Sequence, residues 1–286
     1  MLPALRAVVI DSYNQYPSIM EKVYNVERTS NSIEQIDEVT GLGAFVQTAE
    51  GENAYRDEIY PVFSKNFVPL QYTNSFDVTE IAREDDKWNI PKRAAATLGR
   101  GAFETKEIKM TNIVQNGFAT TTVPSGQYLF SVSHPLAGGG TFANRLATHV
   151  DLDYNNYNTL RVAMMKTVNH RGMLVNILPQ YLLVPPDGEL MGNSIVGSPE
   201  RPDTAERSVN PLYNKVQVLV SPYITDDDSF YIVGKPSDTG LMAFERVPLS
   251  VNNFIKEESG TAVTRARFRW VCDVWHPYAI FGSAGI

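Results

Sequence analysis

Cysteine occurs once in this chain of 286 residues, at Cys272. A lone thiol excludes an internal disulfide and any zinc site built on cysteines, as expected of a protein made in a reducing compartment. Histidine is nearly as scarce, with four residues at His134, His149, His170 and His276. Nowhere do about 18 uncharged apolar residues run together, the length a membrane-spanning helix needs. The opening MLPALRAVVIDSYNQYP holds only a short apolar patch closed by Asp11, so neither membrane insertion nor export is expected. Positive charge is not in excess either. The net charge of −7 argues against a protein whose main task is to grip phosphates, so any DNA nearby would be contacted weakly and without specificity. No internal repeat is found.

What remains is a composition that folds. A hydrophobic fraction of 43% and a charged fraction of 20% sit near the globular average. The length suits one large or two modest domains. The 17 prolines and 19 glycines are spread throughout, which predicts many connections between short elements.

Residues 1–40 read as an arm: Tyr13, Tyr16, Ile19, Met20 and Tyr24 suit packing against a partner without forming a core. From 41 to 78 the composition turns aromatic and β-branched. A turn at Glu50-Gly51-Glu52-Asn53 separates strand-like Ala44–Thr48 from strand-like Glu58–Tyr72, which predicts a long hairpin. With strands of about a dozen residues at roughly 3.3 Å each it would reach on the order of 40 Å, more than a compact domain needs. Thr79 is placed to cap a short helix to Asp86, and Asn89 a second one with Pro91 in its first turn. That second helix, Pro91–Asn116, is about 26 residues or on the order of 39 Å long, the length of a strut. Ala95, Leu98, Ala102, Met110 and Ile113 form its apolar stripe, interrupted around Lys106, while Gly99 and Gly101 permit close approach or a kink. Gly117 is placed as its C′ glycine.

The second half alternates helix and strand. A helix from Asp153 or Asn155 to Val168, a strand at Tyr181–Val184, a helix near 188–195 and strands at Val216–Val220 and Phe230–Val233 make 150–235 a compact α/β unit. Beyond Gly240 the pattern is β-rich. From Thr264 to Trp275, Arg265, Arg267 and Arg269 face one way while Ala266, Phe268, Trp270 and Cys272 face the other.

Candidate catalytic groups are few. His149, Asp151 and Asp153 alternate and would share one strand face as metal ligands, but they also fit a polar loop entering an Asp-capped helix. Asp226-Asp227-Asp228 lacks the spacing and closing Glu of a calcium loop and reads as a solvated turn. Gly138-Gly139-Gly140 lacks the Lys-Ser/Thr of a phosphate-binding loop and reads as a source of flexibility. Ser131 and Ser133 near His134 do not make a nucleophile elbow, and Cys272 reads as a buried small hydrophobe. No active site and no cofactor is predicted.

The order of several segments carries a resemblance. EVTGLGAFVQTAEGENAYRDE, VTEIAREDD, the helix ending in NGF, SHPLAGGGTFANR, YLLVPP, VLVSPYITD, FYIVG and FRWVCDVWHPYAIFGSAG follow one another as in the major capsid proteins of tailed bacteriophages, in particular those similar to the phage Mu major head subunit. The resemblance covers nearly the whole chain from about Tyr13. It implies an α+β chain with the Hong Kong 97 phage-type capsid fold: an N-terminal arm at 1–40, an extended β-hairpin loop at 41–78, a peripheral domain at 79–149 and 236–286 with its spine helix at 91–116, and an axial α/β domain at 150–235. It implies a virion protein, assembled in the bacterial host cytoplasm, whose copies form hexamers and pentamers of an icosahedral head around the genome. Further partners implied are a separate scaffolding protein, since the long N-terminal extension of some members is lacking, a portal and a decoration protein. The alternatives are an encapsulin-like shell holding enzyme cargo and, from another class, a metal-dependent hydrolase using His149, Asp151 and Asp153. A long hairpin is marginal alone, so burial against another copy is the physical reading that agrees with the resemblance. The charges Glu50, Glu52, Asp57 and Glu58 with Arg56 on the loop, and Arg265, Arg267 and Arg269 on the late strand, are the candidate contacts between subunits. Their competing reading is that the arginines pair within their own sheet. Lys65 lies in the loop region, but no partner asparagine is identifiable and no cross-link is predicted.

Overall fold

A computed structural model of the chain describes residues 2–85, 89–201 and 208–286. Along the chain run α1 (Leu2–Asn14), β1 (Asn25–Arg28), β2 (Glu34–Val39), β3 (Pro61–Phe67), β4 (Leu70–Val78), α2 (Glu80–Glu84) and α3 (Asn89–Gln115). There follow β5 (His134–Pro135), β6 (Thr141–Phe142), α4 (Tyr154–Met165), β7 (Tyr181–Val184), α5 (Glu189–Val196), β8 (Gln217–Val220), β9 (Phe230–Val233), β10 (Leu241–Ile255), β11 (Ala262–Val274) and β12 (Ile280–Ser283).

Two four-stranded sheets organise these elements. One has the order β1-β10-β11-β4, built on a long hairpin whose register runs from Leu241 opposite Val274 to Ile255 opposite Ala262. The other has the order β12-β9-β7-β8. They share a core: Met110 and Val114 of α3 meet Leu183, Leu219 and Tyr231 from one sheet and Leu241, Phe268 and Trp270 from the other. The terminal strand β12 was expected with the late β-rich segment 236–286, yet it pairs with β9 of the second sheet. All four of its residues are buried, so they need a sheet covered on both faces.

The first forty residues are not an arm without a core. Leu5 and Val9, one helical turn apart on α1, are fully buried against Ala95 and Leu98 of α3. Gly99 makes that approach attainable, because a Cβ there would stand 2.2 Å from the Val9 carbonyl oxygen. Met20, Val23 and Tyr24 then enter the shared core, and the Tyr24 hydroxyl donates to the Met110 carbonyl at 2.8 Å. The sequence reading missed this because two apolar residues suffice to seat a helix over a glycine notch.

Of the helix expectations, α2 is capped by Thr79, whose Oγ1 accepts from the Ala82 N–H. Asp86, the predicted end of that helix, lies outside the described residues. In α3, Asn89 is itself helical and not the cap, and Pro91 lies in the first described turn. Lys106 does not interrupt the buried face. It is itself buried, pairs with Glu245 at 2.8 Å, donates to the Tyr13 hydroxyl at 2.8 Å and lies 5.5 Å from the Phe268 ring centroid. Gly117 is not a left-handed C′ residue: it sits in a 3-10 turn, Asn116–Phe118. It must be glycine because a Cβ would meet the Phe130 ring at 2.7 Å. Gly101 faces open space, so only Gly99 of that pair serves close approach.

The hairpin is displaced from its expected strands. β2 pairs antiparallel with β3, from Glu34 opposite Phe67 to Val39 opposite Pro61. Residues 44–48 form no strand. The expected strand Glu58–Tyr72 is broken by Pro69, which has no N–H to donate. Its first part is β3, and the remainder begins β4, which joins β11 in the first sheet. Between β2 and β3, residues 40–60 form a loop without a ladder, closed at its root by the Thr40 N–H donating to the Tyr60 carbonyl at 3.0 Å.

Candidate interaction surfaces

The chemistry-bearing residues of the sequence turn out to be fasteners. The His149 Nδ1 accepts from the Ala284 N–H at 3.2 Å, Asp151 accepts from the Ile286 N–H at 2.8 Å, and Asp153 caps α4. The three therefore serve three different backbone groups and do not converge. Among the described residues no group of three or more His, Cys, Asp or Glu side chains is placed to hold a metal ion. Burial, helped by the nearby Arg145 cation, lowers the His149 pKa. Asp226 serves its turn by accepting at its carbonyl from the Ser229 hydroxyl.

SHPLAGGGTFANR is built around Asn144, which is fully buried. Its Oδ1 accepts from the Ser131 N–H at 2.8 Å and faces His134 Nε2 at 3.1 Å, while its Nδ2 donates to the Leu129 carbonyl at 2.7 Å and the Ile280 carbonyl at 3.1 Å. Burial pushes the His134 ring down to about 4, so it is neutral at physiological pH, stacked on Phe142. The glycines are not a source of flexibility. Gly139 and Gly140 adopt φ of 93° and 84° in the β5–β6 turn, and a Cβ on Gly138 would stand 2.5 Å from the His170 carbonyl oxygen. Cys272 is half-buried, and burial, with Asp273 adding to it, pushes its thiol up to about 12.

The 40–60 loop carries a run of exposed apolar side chains. Phe45 is fully exposed, and Leu42, Val46, Tyr55, Ile59 and Tyr60 each keep more than half of their surface in water. The root, in contrast, is tied down. Arg171 pairs with Asp57 at 3.0 Å and also donates to the Glu58 carbonyl. Asp57 accepts from the Gly43 N–H at 2.7 Å, and that bond leads the causes that hold its carboxyl below the usual range. Glu38 of β2 meets His170 at 3.0 Å, and the Tyr278 hydroxyl meets the same ring nitrogen at 3.0 Å. Burial raises the Glu38 pKa against the opposing effect of His170. Lys65 of β3 pairs with Asp273 at 2.8 Å. The sequence reading did not find Glu38, His170, Arg171 and Tyr278, since only the fold brings them together.

Of the predicted contact residues, Glu50, Glu52, Arg56 and Glu58 are exposed on the loop, and Asp57 is committed to Arg171. Glu52 accepts from the Ala49 N–H at 3.2 Å and Glu58 from the Tyr60 hydroxyl. Arg265 lies over the Phe254 ring, 5.8 Å from its centroid. Arg267 reaches the Ser250 hydroxyl at 3.4 Å and Arg269 the Pro69 carbonyl at 3.4 Å. Among the described residues none of the three arginines pairs with a carboxylate. The chain therefore does not bring its acidic loop and its arginine strand together within one copy.

A family model described as phage capsid protein matches residues 63–282. Among solved structures, the chain resembles the capsid of the cyanophage P-SCSP1u with a TM-score of 0.63 and 11% identity, over 93% of this chain and 87% of that one. It resembles the virus-like particle from Pyrococcus furiosus with a TM-score of 0.55 and 12% identity, over 98% of each chain. The capsid of bacteriophage JBD30, decorated with minor capsid protein trimers, gives 0.59 and 14%, over 73% of this chain and 92% of that one. No curated protein matches the sequence.

Proposed function

From the premise that the chain belongs to the phage capsid protein family, we propose that copies of it join into hexamers and pentamers through the 40–60 loop. It has the Hong Kong 97 fold and is the major capsid protein of a tailed double-stranded DNA phage, a component of the virion. Its copies associate with one another. The observation that carries the loop reading is the exposure of Leu42, Phe45, Val46, Tyr55, Ile59 and Tyr60 on a segment that joins no strand ladder among the described residues. Fully burying a large apolar side chain is worth about 1.5–3 kcal/mol, a gain partly offset by the cost of association. A head-to-tail contact, in which each copy gives its loop to the next, closes into rings when the rotation permits.

In this reading α3 is the spine, and the sheet β12-β9-β7-β8 with α4 and α5 is the axial domain, so that domain takes its last strand from the end of the chain. A scaffolding protein, a portal and a decoration protein complete the assembly, the last by analogy with the minor capsid trimers on the JBD30 capsid. Chromatography and protein composition of purified particles test those three.

The loop is tested by replacing residues 42–58 with a short glycine linker, which leaves the Thr40–Tyr60 closure in place. The expected outcome is a folded monomer that forms no shells by electron microscopy, while the intact chain does; uniform shells from the shortened chain would overturn the reading. A second reading, a protein compartment with enzyme cargo, draws on the likeness to the Pyrococcus furiosus particle. Particles from infected cells that contain enzyme and no genome would favour it.

A further inference from the structure

We propose that Arg265, Arg267 and Arg269 form the seat on which the acidic tip of a second copy's loop, carrying Glu50 and Glu52, comes to rest. This inference rests on the shell reading above and supplies the register of its contact.

The seat is one face of the first sheet. Opposite Arg265, Arg267 and Arg269 stand Ser75, Thr73 and Gln71 on β4 and Asn252, Ser250 and Val247 on β10. The three guanidinium groups thus rise from a bed of small and polar side chains. The reverse face holds Ala266, Phe268 and Trp270, buried towards α1 and α3. One end of the arginine face is covered by the root of the β2–β3 hairpin, where Phe67 and Ile36 pack on Met242 and Phe244. The arginines occupy the part left open, with Arg265 and Arg267 exposed and Arg269 half-buried.

Charge on this face is unbalanced. Three carboxylates share it: Asp77 on β4 and Asp273 on β11 are already neutralised, by Lys256 at 2.6 Å and by Lys65 at 2.8 Å, and Glu27 stands on β1, in register with Phe244 and bonded to Asn25. Among the described residues the three arginines meet a hydroxyl, a carbonyl and a ring face and pair with no carboxylate. The loop tip shows the opposite imbalance. Glu50 and Glu52 have no cation partner among the described residues, while Asp57, at the root, is held by Arg171. Two unpaired sets of opposite sign on one chain, in a protein whose copies associate, are complementary between copies.

Alternate residues on a strand repeat at roughly 7 Å, which sets the interval between successive arginines. Glu50 and Glu52 flank the turn at Gly51, whose φ is 84°. Guanidinium groups prefer the flat, two-oxygen geometry of a carboxylate, and rim pairs of this kind fix register and speed encounter more than they add affinity. The net charge of −7 disfavours a nucleic-acid strand as the occupant.

The test is a charge-reversal cycle on the full-length protein. The variants are R265E/R267E/R269E, E50R/E52R and the two sets combined, each checked for folding by thermal melting of the unassembled protein. Shell yield is read by electron microscopy and light scattering at low and high salt. Each single set is expected to lower the assembly rate at least tenfold at low salt, and the combined variant to restore most of it. A milder arginine-to-glutamine set, which keeps the hydrogen-bonding bed, is expected to flatten the salt dependence. Wild-type assembly by the arginine variants, or loss by both sets without rescue on combination, overturns the pairing while leaving the shell reading intact. Normal shells that retain less DNA would also overturn it and assign the arginines to the genome. A wild-type chain that never assembles, with or without scaffold, overturns the shell reading and this inference together.

Discussion

Asn144 is the side chain whose removal should cost this fold most per atom. It bridges three segments, taking the Ser131 N–H on Oδ1 and donating Nδ2 to the Leu129 and Ile280 carbonyls at 2.7 and 3.1 Å, with no exposure to water. Asn144→Ala leaves one donor and two acceptors without that partner, and an orphaned buried polar group costs roughly 1–3 kcal/mol. Allowing for a water molecule entering the vacated space, the expected loss is roughly 3–5 kcal/mol, a large share of a typical domain's stability. The assay is urea unfolding followed by tryptophan fluorescence, made on the loop-shortened chain so that assembly does not add to the apparent stability. Asn144→Asp sharpens it. Its carboxylate would face two carbonyls in a dry site, which raises its folded pKa above the unfolded value, so stability is present at low pH and lost as pH rises through the folded pKa. A loss under about 1 kcal/mol for Asn144→Ala, at unchanged m-value, would refute the keystone reasoning.

Gly99→Ala should unseat α1, since its Cβ would stand 2.2 Å from the Val9 carbonyl oxygen; the cost is about 1–3 kcal/mol, read as faster proteolytic release of the N-terminal segment. Lys106→Met leaves the largely buried Glu245 with only the exposed Arg28 at 4.0 Å and should cost about 2–4 kcal/mol, with Lys106→Met and Glu245→Gln together recovering part of it in the same unfolding assay. Burial depresses His134 to about 4 and His276 to about 3, so the unfolded chain binds more protons below pH 6.5. Stability present above pH 6.5 is therefore lost as pH falls towards those values, by about 1.4 kcal/mol per unit and histidine, and His276→Asn should flatten that slope in pH-dependent melting. Arg171→Ala should free the loop root from Asp57 without unfolding the body, seen as shells of mixed diameter, and the D57R/R171D swap should restore uniformity.

The strongly periodic elements were legible from residues alone. α3 and the alternation of β11 follow from repeats that a long helix and a half-buried strand impose, and the order of segments from EVTGLGAFVQTAEGENAYRDE to FRWVCDVWHPYAIFGSAG carried the family. The N-terminal segment was not legible, because the signal lay in Gly99, ninety residues away, and not in the segment itself. The hairpin was misplaced for a related reason: Ala44–Thr48 has strand propensity but no partner, whereas EQIDEV, with one large apolar residue at its centre, becomes β2 because β3 lies beside it. The clamp of Glu38, His170, Arg171 and Tyr278 joins residues from three distant stretches, and no local pattern announces such a meeting. The arginine and glutamate candidates were readable as charges, while their lack of partners became visible only once every neighbouring carboxylate had been located.

The placement of β12 beside β9 makes the long hairpin of β10 and β11 an insertion within the second sheet. Val233 and Ile280 are antiparallel neighbours, and the Gly234 N–H donates to the Ala279 carbonyl at 2.9 Å. Once the hairpin has brought Leu241 opposite Val274, little further loop entropy opposes closing that sheet. The two sheets are thus threaded through one another and cannot be parted by a single cut. A chain ended at 235 would lose the strand that covers β9, whereas an excised unit should close only if 235 is stitched directly to 279. Force applied between the lobes would be borne by two covalent crossings at that point, so the lobes should tilt as a yoked pair and not separate when a shell changes shape.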